Sequence, residues 1–520
     1  MRFILKNNAV IKFIPYLFFI IYVLIVAFGS KESFPDDVQT NSKMPYLVDK
    51  PIGEDAYYML TIAKNLASGN GFTYNFNKET TGIQPLATVL YSSVFVISNF
   101  LGLSDWASLR LIIVMNAILL ILFTFTLLKT SSLLGNQSIN LYWVVPLLTL
   151  FNFGLFRTFT YGLETGLYLL LLAITINYSR SINFKKMHKR RLVTLSALIG
   201  LTVLARIDFI VIVIFFFLIQ FIQKNICIKN LFIIGLLSSL ATLPWFIYVY
   251  SITGSFIPSS GSAQSDLATI NSIGPRFSAM LSAIIENLTP WLYTGARNLI
   301  VIVGLFSLVI FIFFFRNYLI DVVKYSKNIK TLKEYYPWVI SIIILILIYI
   351  LFFWATHFYY RYSSPLSIFI IPVFGSALSR FFENKSKSFK YLFSMIIIIL
   401  FFAQAYYSLH TGVIGNTHSV SAGYIRQNFS DTYKVGVLQS GVIGYFNHNV
   451  INLDGKIDKN SLIAIKNKSL HKYIDNQGIN VLVDWPGYIY SNLDSNYLKL
   501  NWKEFSEKIN NNVSICLVRK

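Results

Sequence analysis

Apolar runs of bilayer-compatible length recur through this chain, and that recurrence restricts its fold more than any motif does. The first is Phe13 to Gly29, and others lie near residues 107–128, 139–156, 160–178, 192–205, 209–223, 231–250, 298–315, 338–355, 364–380 and 391–409. A helix that crosses the hydrocarbon core needs about 20 mostly apolar residues. Several runs are shorter, so half-length or tilted helices are expected among them. Of the 520 residues, 55% are hydrophobic, 16% aromatic and only 13% charged, and the mean hydropathy is +0.58. Water-soluble globular domains rarely combine these values. The expected class is a polytopic α-helical membrane protein with about 11 transmembrane helices.

The formal net charge of +21 does not point to nucleic acid. The basic residues cluster between apolar runs, as the positive-inside rule produces, so nucleic acid is excluded as a partner and the bilayer is the expected surroundings. Arg2, Lys6 and Lys12 precede the first run, which is longer than a signal-peptide core and lacks an Ala-x-Ala exit, so it reads as a retained anchor. A further apolar stretch, Leu86 to Leu103, decides the parity of every later loop. If it lies in the plane of the interface, Lys129, the Arg180 to Arg191 cluster, Lys224, Lys229, the Lys324 to Lys333 cluster and the Lys385 to Lys390 cluster all become cytoplasmic. Counting it as a crossing places five basic loops outside, so an in-plane or re-entrant element is expected. The amino terminus is then inside and the carboxyl terminus outside. Cys227 and Cys516 fall on opposite sides, which leaves no disulfide framework or thiolate metal site.

Three constellations carry chemistry. In the first outer loop, residues 30–85, the run Glu54-Asp-Ala-Tyr-Tyr58 opens a segment whose apolar residues recur at helical spacing to Ala67, before Gly69-Asn-Gly71 ends it. Such a helix lies along the membrane with Glu54 and Asp55 at its amino-terminal end, where the dipole stabilises anions. A carboxylate there can accept a proton from a hydroxyl or simply cap the helix. Tyr57 and Tyr58 suit the boundary between lipid and water. The second constellation is the outer turn Arg157-Thr-Phe-Thr-Tyr-Gly-Leu-Glu164, where Glu164 faces either a polar cavity or Arg157. Arg206-Ile-Asp208 and His357-Phe-Tyr-Tyr-Arg361 form the third. Outer loops are poor in lysine but hold single arginines, Arg110, Arg157, Arg206, Arg276, Arg297 and Arg361, each able either to grip phosphate with paired hydrogen bonds or to snorkel.

In order and kind these residues resemble the GT-C superfamily of polytopic glycosyltransferases, in particular bacterial members similar to lipid A aminoarabinose transferases and protein O-mannosyltransferases. The resemblance rests on Glu54 to Gly69, Thr81-Gly-Ile-Gln-Pro85, Trp106 to Arg110, Gly162-Leu-Glu-Thr165, Arg206-Ile-Asp208 and Arg361-Tyr-Ser-Ser-Pro365. It implies an inverting enzyme that moves a sugar from a polyprenyl-phosphate donor to an acceptor hydroxyl on a glycan, lipid or protein. Catalytic roles are implied for Glu54, Asp55 and Glu164, with Glu54 standing where an Asp is usual. Contacts to the donor's phosphate are implied for Arg110, Arg157, Arg206, Arg361 and Gln84, the last standing where a basic residue or His is frequent. Tyr57, Tyr58, Asp208, His357 and Tyr360 are the candidates for sugar or acceptor contact. No cofactor is required; a divalent metal is compatible with the scheme but not demanded by it. The implied location is the bacterial inner membrane.

Two domains are expected: residues 1–410, a GT-C-like transmembrane domain, and residues 411–520, a small extracytoplasmic α/β domain. In the latter, short apolar runs at Val435 to Leu438, Val450 to Leu453, Ile479 to Val483 and Ser514 to Val518 alternate with helical stretches. Gly441-Val-Ile-Gly-Tyr-Phe446 and Asn452-Leu-Asp-Gly455 resemble the tails of some GT-C members, while turn formation explains the glycines equally well, and the domain is expected to have a structural or acceptor-positioning role. Two other classes fit a chain of this kind. A lipid-linked sugar flippase or transporter would carry its acids at mid-membrane, whereas these charges gather at one face. A surface-polysaccharide polymerase or ligase would hold essential arginines and histidine in a large late loop, and Asp266 to Arg297 is only modestly charged.

Overall fold

The computed structural model describes residues 2–38, 42–134, 138–261, 269–293, 297–328, 331–410, 414, 417–505, 509 and 514–520. Asp266 lies outside them, as do residues 411–413 at the expected domain boundary. The structure is mostly helical. Six described helices are long and apolar enough to cross a membrane, and the count is seven if Leu141–Leu150 and Phe153–Thr160, bent by 62° at their junction, form one span. Phe13–Gly29, Pro85–Phe100 and Phe209–Ile222 are apolar but shorter. The expected runs near 160–178 and 192–205 fold as Thr165–Arg180 and Lys189–Ala205. Each of the eleven runs thus lies in helix, but fewer reach span length by themselves than the sequence suggested. The Leu86 to Leu103 stretch forms a single 16-residue helix, Pro85–Phe100, packed on Glu54–Ala67.

The outer surface of the helical region is apolar rather than polar. On Arg297–Asn328, Phe306, Val309, Phe313 and Phe314 are exposed, Phe313 to 77%. A ring of exposed phenylalanine and valine on one helix is favourable only against lipid. Inside, Phe401 meets Tyr22, Phe153 and Phe156 edge to face, and Trp338 stacks on Phe216 with ring centroids 3.9 Å apart.

The carboxyl-terminal residues build a five-stranded sheet in the order Val450–Asn452, Val435–Val437, Val481–Asp484, Ile515–Arg519, Trp502–Glu504. Its first three strands run parallel and the last two pair antiparallel. Four of the five were visible as apolar runs. Trp502–Glu504 was not, because an edge strand with two exposed charged residues has no apolar run to see. The β-branched residues of the central strands are buried, which is why these short segments form strands at all.

This sheet does not stand apart from the loop of residues 30–85. A single core joins Tyr57, Leu60 and Ile83 with Val435, Tyr445, Phe446 and Val481. Open parallel sheets leave a crevice at the carboxyl ends of their strands. Here the amino-terminal end of Glu54–Ala67 is docked there, against the short helix Gly441–Phe446. Tyr57 is fully buried and Tyr58 is nearly so, which corrects the expectation that they meet lipid and water. The cause is that covering surface: Tyr57 packs on the ring of Tyr445 and donates to the Leu47 carbonyl at 3.1 Å.

Candidate active site

The helix expected over Asp55 to Ala67 forms as Glu54–Ala67, with Gly53 as its N-cap and Glu54 and Asp55 in its first turn. A side chain at Gly53 would collide with the ring of Tyr161, so the absence of one lets the loop press directly on the turn between Phe153–Thr160 and Thr165–Arg180. Gly53 N–H donates to the Tyr161 carbonyl at 3.0 Å. The acid pair divides its contacts. Glu54 Oε2 accepts from the Val442 N–H at 3.1 Å, at the amino-terminal turn of Gly441–Phe446. Asp55 Oδ1 lies 3.5 Å from Lys456 Nζ, and 24% of its side chain is exposed. Lys456 also pairs with Asp454 at 3.3 Å. Burial disfavours the Lys456 charge, but Asp55 and Asp454 outweigh it and hold the ammonium above its usual value.

Behind this turn lies a second charged group. Glu164 Oε1 meets Arg361 at 2.6 Å and Arg206 at 4.0 Å, and Arg206 pairs with Asp208 at 3.0 Å. Tyr349 donates to Asp208, and Arg206 lies over the ring of Tyr362 at 4.4 Å. Glu164, Arg361 and the Arg206–Asp208 pair, named from three separate segments, are thus one network. Glu164 is only 3% exposed, so its two arginines supply the compensation a buried carboxylate requires. Gln84 supports the same network without touching a charge: its Oε1 accepts the Ile207 N–H at 3.1 Å.

A cavity of about 400 Å³ opens beside this network, with Arg157, Tyr161, Glu286, Tyr293, His357 and Arg361 on its walls. Arg361 spends one guanidinium nitrogen on Glu164, while its buried Nε has no partner among the described residues. Arg157 donates to the Tyr293 hydroxyl. Tyr360 also lines the cavity, its buried hydroxyl without a partner among the described residues. Tyr161 stands between the two groups, within the fields of Asp55 and Glu54 and of Arg157 and Arg361. The arrangement offers cations with unspent donors on one side and a partly exposed carboxylate on the other.

Not every expected residue joins it. Arg110 pairs with Glu32 at 2.9 Å and donates to the carbonyls of Ala27 and Ser30. These carbonyls end the first helix, and a guanidinium satisfies such orphan acceptors well. Arg276 does similar work on the carbonyls of Ser272, Leu351 and Thr269. Tyr57 and Tyr58 are engaged in the covering core, as above. Sequence reasoning missed three residues. Lys456 and Asp454 sat in a stretch read as a turn, and their only signal was charge directly after a buried strand. Glu286 lies in Ile273–Leu288, whose amphipathic pattern has no span-length apolar run. Among the described residues, no three His, Cys, Asp or Glu side chains come together as a metal site.

The solved structures most like this one include ArnT from Cupriavidus metallidurans. Bound to undecaprenyl phosphate, it matches with a TM-score of 0.55 at 9% identity, over 96% of this chain and 97% of that one. In the apo state it matches with a TM-score of 0.57 at 9% identity, over the same shares, 96% and 97%. The archaeal oligosaccharyltransferase AglB from Archaeoglobus fulgidus, in complex with an inhibitory peptide and a dolichol-phosphate, gives a TM-score of 0.48 at 12% identity, covering 100% of this chain and 75% of that one. No protein-family model and no curated protein matches the chain. Over 96% of its length the chain shares the fold of ArnT.

Proposed function

We propose that this protein transfers a sugar from a polyprenyl-phosphate donor to an acceptor hydroxyl on the outer face of a bacterial inner membrane, inverting the anomeric carbon. The observation that carries this reading is the cavity walled by Arg157 and Arg361, with Asp55 across Tyr161 from it. ArnT, whose fold the chain shares, has been solved with undecaprenyl phosphate bound. That lipid phosphate is the leaving group in the proposed reaction.

Asp55 is the base in this scheme. Glu54 gives an oxygen to a backbone N–H, whereas Asp55 remains partly exposed. The Asp55 carboxylate takes the proton of the acceptor hydroxyl as the acceptor oxygen bonds to the anomeric carbon. The bond from that carbon to the phosphate oxygen breaks, and the phosphate leaves with the lipid. Negative charge grows on the phosphate, and Arg361 and Arg157 are placed to receive it; preorganised donors at such a charge contribute on the order of 3 kcal/mol each. Glu164 and Arg206 keep Arg361 in place, and Gln84 keeps the Arg206 to Asp208 turn in place. His357 and Tyr360, on the cavity wall, contact the sugar. The acceptor is a glycan, lipid or protein of the cell envelope.

The test is mass spectrometry of envelope glycans and glycolipids from cells with and without the chain. A monosaccharide that disappears with the chain, and returns with wild type but not with Asp55→Asn, supports the reading. An envelope unchanged by deletion contradicts it.

A further inference from the structure

We propose that Lys456, carried by the carboxyl-terminal sheet unit, is a positioning residue for Asp55, holding that carboxylate where it meets the acceptor hydroxyl. The inference rests on the reading of Asp55 as the base.

The side chain that reaches Asp55 comes from 401 residues further along the chain, and its turn is held on several sides. The Lys456 N–H donates to Asp454 Oδ1 at 2.9 Å, and its carbonyl accepts from Ser259 Oγ at 2.8 Å. A side chain at Gly82 would collide with that carbonyl, so the first outer loop packs directly on it. Two and three residues on, Asp458 pairs with Lys78 at 2.9 Å and Lys459 donates to the Ile252 carbonyl at 2.8 Å. A lysine on a backbone tied in this way loses little freedom by pairing, unlike an ordinary surface lysine.

The contacts also close a ring. Asp55 faces Lys456, Lys456 faces Asp454, and Asp454 accepts from Tyr58 at 3.3 Å, one turn along the Asp55 helix. Tyr58 in turn accepts from the Ser440 N–H at 2.9 Å. Asp454 thereby sets where the ammonium sits between two carboxylates. With 34% of the Lys456 side chain and 24% of the Asp55 side chain exposed, water and salt screen the pair, and its influence is moderate.

The experiment uses membrane vesicles from cells carrying the full chain, supplemented with increasing lipid extract of the same cells, and follows the initial rate of undecaprenyl phosphate release from their lipid-linked sugar. A carboxylate out of place slows the chemical step and leaves donor capture alone, so Lys456→Met is expected to lower kcat by about tenfold with KM for the donor little changed. Lys456→Arg keeps a cation beside Asp55 and should restore most of the rate. Asp454→Asn leaves the ammonium with one partner fewer to hold it and should lower kcat in the same way, but by less. A kcat loss rescued by Lys456→Arg supports the inference. Equal losses in Lys456→Met and Lys456→Arg, or a loss carried by KM, show a structural strut and overturn it, while loss of release in Asp55→Asn leaves the base reading standing. Release at wild-type rate in Asp55→Asn overturns both.

Discussion

Glu164 and Arg361 stand 197 residues apart in sequence and meet at 2.6 Å, the carboxylate 3% and the guanidinium 18% exposed. The two are coupled: loss of Arg361 leaves Glu164 with Arg206 alone at 4.0 Å, and loss of Glu164 leaves two neighbouring guanidiniums with one carboxylate fewer.

Glu164→Ala is therefore expected to lower stability by about 3 kcal/mol, and Arg361→Ala by a similar amount, with the double variant less destabilised than the sum. Thermal unfolding of the purified protein in detergent, read as a double-mutant cycle, checks this. Additive losses would show that the contact has no coupling.

Glu54 and Asp55 should separate on substitution. Asp55→Asn is expected to reduce transfer by about two to four orders of magnitude with the fold retained. Glu54→Gln should retain most transfer and cost about 1 kcal/mol of stability, since it weakens a charge-assisted bond to Val442. Rate measurements paired with unfolding curves distinguish the two; equal rate losses in both variants would contradict the division.

Gly441 sits where a side chain would strike the Glu54 carbonyl and carboxylate. Gly441→Ala is expected to push Gly441–Phe446 off the acid pair and destabilise by about 2 kcal/mol. Limited proteolysis of the carboxyl-terminal unit, faster in the variant than in wild type, is the readout.

Glu286, on a helix outside the span-length apolar set, should make donor capture pH-dependent. Burial raises its carboxyl to about 8, with Arg157 pulling the other way, and the groups facing it are Arg157, Tyr293 and Tyr360. Below that value it is neutral; above it, a negative charge beside Arg157 repels an anionic ligand. Undecaprenyl phosphate is expected to bind the wild type several-fold more weakly above about pH 8, and Glu286→Gln should flatten that dependence. Equilibrium binding in nanodiscs across this range decides it.

The membrane class and the helix at residues 54–67 were legible in the sequence because both rest on periodicity, which is local. The strands of the carboxyl-terminal sheet were legible where they are buried, and Trp502–Glu504 was not. What one sequence does not carry is which residue meets which across hundreds of positions. Arg110 and Arg361 read alike as outer arginines, and only packing turns one onto helix-end carbonyls and the other toward a cavity. Tyr57 and Tyr58 read as interfacial because nothing local announces that Tyr445 and Ser440 will cover them. Lys456 was passed over for the same reason, since a lysine beside a glycine reads as a solvated turn.

The central claim is that Asp55 performs proton abstraction during sugar transfer from a polyprenyl phosphate. Its most direct test is release of undecaprenyl phosphate by the full chain in membrane vesicles, wild type against Asp55→Asn at matched protein levels. Release that depends on the chain and falls at least about a hundredfold in the variant is the predicted result; undiminished release in Asp55→Asn would contradict the account.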